Sequence, residues 1–391
     1  MSNRIRIALY SHDTVGMGHT RRQLAIARAI TAADDRVDAL MITGNPEAAQ
    51  LRQPPRTDLI TLPTVAKDRR GQYVPRRQGC GLDGLLALRE RMISAALPAY
   101  DPHLLVVDKV AGGLRDELLP ALRSLRTTGH SRIVLGLREV LDDPATVRQE
   151  WQAARTPQLI RDFYDEVWVY GDPTIFDPVR EYGWAHDIAD KVSYLGYLGP
   201  ADPDGPGLDS THRSVPPREP YVLCQLGGGQ DGYRLAETFV RADLPAGHLG
   251  IVLTGPYLSA AERDRLQIAA GPRIRIVDFV SNAEDFVAGA SAVVSMAGYN
   301  STVELLATSL PVLLVPREVP RTEQLIRAER LAAVGCVDLV RIASLTPAGV
   351  GAWLSEAVSR PEVDRSDVDL AGLERIPESM LRLVEGVRHA A

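Results

Sequence analysis

The segment Gly16-Met17-Gly18-His19-Thr20-Arg21-Arg22 follows a short apolar run and puts an imidazole at the start of a helical pattern. With a reference pKa near ~6.5, imidazole suits the removal of a proton from a hydroxyl at neutral pH. His19 is therefore the candidate general base, with His12 and Asp13 in the same loop as reserve base and orienting partner. The alternative is a His19 that caps the helix or touches a bound diphosphate. Two further glycine-rich turns each follow an apolar run: Gly227-Gly228-Gly229-Gln230-Asp231-Gly232, and Met296-Ala297-Gly298-Tyr299-Asn300-Ser301-Thr302. Small residues there let backbone N–H groups approach a ligand, and a helix N-terminus favours negative charge. Gly227, Gly229 and Gly232 have the spacing of a dinucleotide fold. The next apolar run, however, ends in Thr254-Gly255-Pro256 and lacks the acid that would hold a ribose, which disfavours a dehydrogenase. No Gly-x-x-x-x-Gly-Lys-Ser/Thr loop occurs, so a P-loop nucleotidase is disfavoured too. Asp202-Pro203-Asp204 and Asp367-Val368-Asp369 have metal-binding spacing, but one falls in a linker and the other in a C-terminal extension. No metal site is expected.

These turns need a scaffold of strands that end where helices begin. Arg4–Tyr10, Val37–Thr43, Leu104–Val107, Arg132–Leu137 and Glu166–Tyr170 are short apolar runs separated by helical or turn segments. The rhythm restarts with Tyr221–Leu226, Leu249–Leu253, Ile274–Phe279, Ala292–Ser295 and Val312–Val315. Such alternation predicts mostly parallel sheets covered on both faces, an α/β fold. Ligands on open parallel sheets sit at the carboxyl ends of the strands, where the three turns lie. A Pro/Gly/Asp/Ser-dense stretch between Gly199 and Pro220 cannot bury a core and reads as a connection. The expected organisation is an N-terminal Rossmann-like domain over 1–199, a linker over 200–219 and a second Rossmann-like domain over 220–365. A C-terminal helix over 366–391 is expected to pack near the domain junction.

The order of elements from Asp278 to Leu331 resembles the donor half of the GT-B glycosyltransferases. It is most similar to the MurG type, the lipid-linked GlcNAc transferases of peptidoglycan synthesis, and to uncharacterised relatives. The resemblance rests on the pair Phe279-Val280, the small-residue turn, Glu304 in the following helix, the strand Pro311–Val315 and the pair Glu323-Gln324. It implies two Rossmann-like domains facing a central cleft. It also implies that Val280 holds a nucleobase edge through its backbone, with Phe279 shaping the pocket, and that Glu304 accepts hydrogen bonds from ribose. Gly298, Tyr299, Asn300 and Ser301 would offer N–H groups to a diphosphate, with Gly18, Gly228, Gly229 and Gln230 as further donor-side contacts. A capped helix start, with Asn300 or Ser301 as N-cap, is the plainer reading of that turn. Glu323 and Gln324 would meet sugar hydroxyls, and Arg317 and Arg321 would neutralise phosphate; a solvated first helical turn is the alternative. The implied activity is metal-independent, inverting transfer of a hexose or N-acetylhexosamine from a nucleoside diphosphate, UDP first, to a hydroxyl acceptor. No cofactor is implied beyond the donor co-substrate. A 2-epimerase of the same fold and a non-catalytic nucleotide-sugar-binding partner are the rival readings.

Composition sets the outer bounds. A chain of 391 residues suits two domains, and 45% hydrophobic with 24% charged residues is the balance of a globular protein. The net charge of -6 argues against a general nucleic-acid binder. Cys80, Cys224 and Cys336 are far apart and odd in number, which fits a reducing compartment. With no leader pattern or long apolar stretch, a cytoplasmic location is expected. The basic run Lys67, Arg69, Arg70, Arg76 and Arg77, against one acid in Asp68, would recognise an anionic acceptor or a membrane surface, or simply be a solvated loop. Asp108 and Arg138 each follow a strand and could line an acceptor site. Acceptor and oligomeric state stay open.

Overall fold

A computed structural model of the chain describes residues 4–12, 18–67, 73–76, 79, 81–199, 214–278, 280 and 282–388. Two compact units emerge: Met1–Ala201 together with Ala371–Ala391, and Asp202–Leu370.

The first unit is built on seven parallel strands. They are β1 (Ile5–Ser11), β2 (Val37–Thr43), β3 (Thr57–Thr61), β6 (Leu104–Asp108), β7 (Arg132–Arg138), β8 (Glu166–Tyr170) and β9 (Val192–Tyr194), in the order β3-β2-β1-β6-β7-β8-β9. A small antiparallel hairpin, β4 (Val65–Lys67) with β5 (Tyr73–Pro75), stands outside the sheet. The central strands are apolar on both faces because helices cover both: every residue of β6 is buried, and Ile133, Val134 and Leu135 of β7 are fully so. β1 pairs with β2 on one side and with β6 on the other, so the winding reverses between β1 and β6. In open α/β sheets that reversal opens a crevice at the strand ends, and here it receives His12, the helix Gly18–Ala33 and Asp108.

The second unit repeats the plan with β10 (Tyr221–Gln225), β11 (Leu249–Leu253), β12 (Ile274–Val277), β13 (Ala292–Ser295), β14 (Val312–Leu314) and β15 (Asp338–Leu339), in the order β12-β11-β10-β13-β14-β15. Its reversal falls between β10 and β13, the strands that lead into the two other glycine-rich turns. Its core is continuous across the sheet, from Val222, Cys224 and Val252 to Val294, Leu313 and Leu354.

The segment Gly372–Arg388 is helical and belongs to the first unit, packing on the helix Gly18–Ala33. Leu198 and Ala371 form a β-bridge there, Gly372 donates to the Tyr197 carbonyl at 2.9 Å, and the Arg375 guanidinium donates to the Leu195 carbonyl at 2.8 Å. Pro98 lies inside the helix Leu82–Tyr100, which ends at Asp101 in a left-handed conformation. Residues 200–213 of the expected linker lie outside the described residues. Ser214 beyond them is held to Asn282 by a pair of bonds, 3.1 and 2.9 Å long.

Candidate functional site

At the first reversal point the helix Gly18–Ala33 begins with Gly18, exposed, and His19, whose side chain is 20% exposed. Asp108, at the end of β6, lies against His19 Nδ1 and is fully buried. Burial alone would push its carboxyl up, but Arg22 and His19 outweigh burial and hold it below the usual carboxylate range. Arg22 donates to both oxygens, with Nη2 at 2.8 and 2.7 Å and Nε at 3.2 Å. An ionised carboxylate only accepts, so Nδ1 carries the proton of this contact. Arg22 Nη2 is also 2.9 Å from Nδ1, a contact imposed by the shared carboxylate, since neither group can then accept.

His12 sits beside this pair, its ring centroid 5.5 Å from that of His19. Burial pushes its imidazole well down, with Lys109 adding to the effect, and its buried Nδ1 has no hydrogen-bond partner. It is a neutral neighbour. Its partner in the sequence reading, Asp13, lies outside the described residues. The backbone of His12 is fixed from below: Arg89, wholly buried, donates to its carbonyl at 3.3 Å and pairs with Glu117 through two bonds of 2.6 Å. Tyr10 donates to the same Glu117 at 2.5 Å.

At the second reversal point two loops interlock through their backbones. A Cβ on Gly229, at φ +87°, would stand 2.1 Å from the Thr254 carbonyl oxygen, and one on Gly255, at φ +73°, would stand 2.2 Å from that of Gly227. Only glycine fits either position. Gly228 and Gln230 are exposed, and a Cβ on Gly227 would lie 3.3 Å from Ser301 Oγ, which brings the two glycine-rich turns side by side. The helix Tyr299–Leu306 starts two or three residues earlier than a cap at Asn300 or Ser301 requires; its N-cap is Gly298, which makes no side-chain bond. Arg327, buried, donates to the Ala297 carbonyl at 3.0 Å and lies over the Tyr299 ring, locking this turn.

Glu304 is half-buried, and Gln225 at the end of β10 reaches it at 3.5 Å. Val280 is buried, whereas Phe279 lies outside the described residues. Arg317 is engaged with two carboxylates, Asp231 at 3.2 Å and Glu323, and its backbone N–H donates to Gln324 Oε1 at 3.1 Å. The second oxygen of Glu323 is buried with no partner. Arg317 therefore straps the Gly227–Gly232 turn to the Glu323-Gln324 turn. Asp231, Gln225 and Arg22 had no role in the sequence reading, and Asp108, read there as lining an acceptor site, lies against His19. Only Arg22, one helical turn from His19, carried a signal in its spacing.

The described helices include none long and apolar enough to cross a membrane. Residues 244–372 match the glycosyltransferase family 28 C-terminal domain. A stretch of 122 residues is 28% identical to the UDP-N-acetylglucosamine–N-acetylmuramyl-(pentapeptide) pyrophosphoryl-undecaprenol N-acetylglucosamine transferase of Leuconostoc mesenteroides, over 30% of this chain. The match spans about a third of that relative's length, 34%. Among solved structures, the calicheamicin glycosyltransferase superposes with a TM-score of 0.58 at 16% identity, over 98% of this chain and 95% of that one. Acinetobacter baumannii MurG gives 0.55 at 12% identity, over 98% and 99%. The chain has the GT-B fold, and most of its second unit matches the glycosyltransferase family 28 C-terminal domain.

Proposed function

We propose that the chain transfers a hexose or N-acetylhexosamine from a nucleoside diphosphate, UDP in the first instance, to a hydroxyl on a cell-envelope lipid or a secondary metabolite. The observation that carries the reading is the His19–Asp108 pair, an imidazole held by a carboxylate at its Nδ1 side, at the reversal point of the first sheet. Nε2 of His19 takes the proton of the acceptor hydroxyl as its oxygen attacks the anomeric carbon. The bond to the diphosphate breaks on the opposite face, which inverts the centre. The leaving oxygen gains negative charge, which the N–H groups of the Gly227–Gly232 turn and of the helix start at Tyr299 are suited to receive. Glu304 accepts from the ribose hydroxyls, Gln324 and the unpartnered oxygen of Glu323 face the sugar hydroxyls, and the strap through Arg317 keeps the two loops in register. With amides in this role the reaction proceeds without a divalent cation.

The test is a calorimetric titration of UDP into the wild type and Glu304→Ala, followed by transfer from UDP-sugars to extracted acceptors after exhaustive chelation. UDP binding is expected to weaken by roughly 1–3 kcal/mol in the variant, because ribose hydroxyls lose their acceptor in a partly dry site. Turnover is expected to survive the chelator. Unchanged binding in a folded variant would remove Glu304 from the site, and turnover restored only by magnesium or manganese would replace the amides with a metal. Consumption of the sugar nucleotide without any acceptor would point instead to an epimerase.

A further inference from the structure

The cluster at the end of β6 contains one more group than a base and its orienting partner require. Asp108 is one buried carboxylate facing two groups able to carry positive charge, His19 and Arg22. A lone buried carboxylate would draw its counter-charge from the imidazole, and a protonated imidazole cannot accept a second proton. Arg22 is always charged, its side chain is 3% exposed, and it covers both carboxylate oxygens. Its Nη2 also stands 2.9 Å from the ring, where a second positive charge would be repelled.

We propose that Arg22 sets the charge of this pair: by neutralising Asp108 it leaves the His19 ring uncharged and able to accept a proton at Nε2. The other groups facing the cluster do not supply that charge. His12 from the end of β1 is buried and neutral, and Arg89 from the helix Leu82–Tyr100 is neutralised by Glu117. Lys109, which follows Asp108, bears on His12, whose imidazole it helps to push down. Arg22 is a positioning residue, acting on the acceptor only through His19.

The proposal rests on reading His19 as a base, but its test needs neither donor nor acceptor. The ring C–H resonance of His19 is followed by NMR across pH in the full chain and assigned by its loss in His19→Gln. In Arg22→Met the midpoint is expected to rise by about one pH unit or more, roughly tenfold in proton affinity. In Arg22→Lys, which keeps the charge, it is expected to stay within about half a unit of the wild type. In Asp108→Asn, with Arg22 intact, it should fall. A midpoint unchanged or lowered in a folded Arg22→Met overturns the proposal. If that variant does not fold, Asp108→Asn decides: an unmoved midpoint there shows that the carboxylate and the ring are not coupled. Failure of glycosyl transfer with the expected titrations would overturn the base reading while leaving the charge assignment intact.

Discussion

His19 and His12 are 5.5 Å apart between ring centroids, yet their surroundings divide their roles. His19 is partly exposed and held by a carboxylate; His12 is buried with an unpartnered nitrogen. A base acts in the transition state, so His19→Ala is expected to lower turnover by about 10²–10⁴-fold while UDP-sugar affinity changes little. Single-turnover rates and calorimetry on the same two proteins check this; a collapse of affinity with the chemical step intact at saturating donor would make His19 a phosphate contact. For His12 the consequence is one of stability. Its folded imidazole gains a proton only well below the ordinary range, whereas the unfolded chain gains one near ~6.5. Below that pH the unfolded state binds more protons, so the stabilisation from a neutral His12 is present above ~6.5 and lost as pH falls. The loss is at most about 1.4 kcal/mol per pH unit. Urea unfolding between pH 7.5 and pH 5, placed around that midpoint of roughly 6.5, should show a shallower acid decline in His12→Phe than in the wild type.

At the scale of elements, the first site is held from beneath by a buried ion pair that links a helix to the loop. Arg89 from the helix Leu82–Tyr100 meets Glu117 and the His12 carbonyl in a region without solvent. Removing one partner leaves the other charge buried, so Arg89→Met is expected to cost about 3–5 kcal/mol in denaturant unfolding. A cost near zero would mean that Glu117 finds another donor. How far these elements were legible in the sequence follows the physics of each. β2, β8, β11 and β13 were readable to the residue, because a strand buried on both faces is an unbroken apolar run. β3 and β15 were not, being short edge strands of mixed polarity with partly exposed residues. His19 was legible because it follows a strand and opens a helix. Its tie to Asp108 was not, because the two residues are neighbours only through the crossover that places β6 beside β1. Arg317 was read as a phosphate ligand from its position at a strand end; that its charge is matched by Asp231 and Glu323 depended on packing of two loops.

At the scale of the whole chain, the last helix is part of the first unit although it is written at the far end of the sequence. Its residues Ile376, Met380, Leu383 and Val384 are buried. Burial of four such side chains is worth on the order of 6–12 kcal/mol, an upper figure that rivals the total stability of a domain. Ending the chain after Leu370 is therefore expected to abolish slow hydrogen exchange in the strands of the first unit while those of the second keep their protection. Protection retained in both would show that the helix is an accessory. The same threading has a consequence for synthesis. Residues Asp202–Leu370 leave the ribosome after the body of the first unit and before its closing helix. At ~5–20 residues per second the interval is roughly 10–35 s. Throughout it the helix that bears His19 lacks the apolar partner that covers it, and by its end the second unit has all its strands in hand. The nascent chain thus has its later unit in hand before the helix Gly372–Arg388 closes the earlier one.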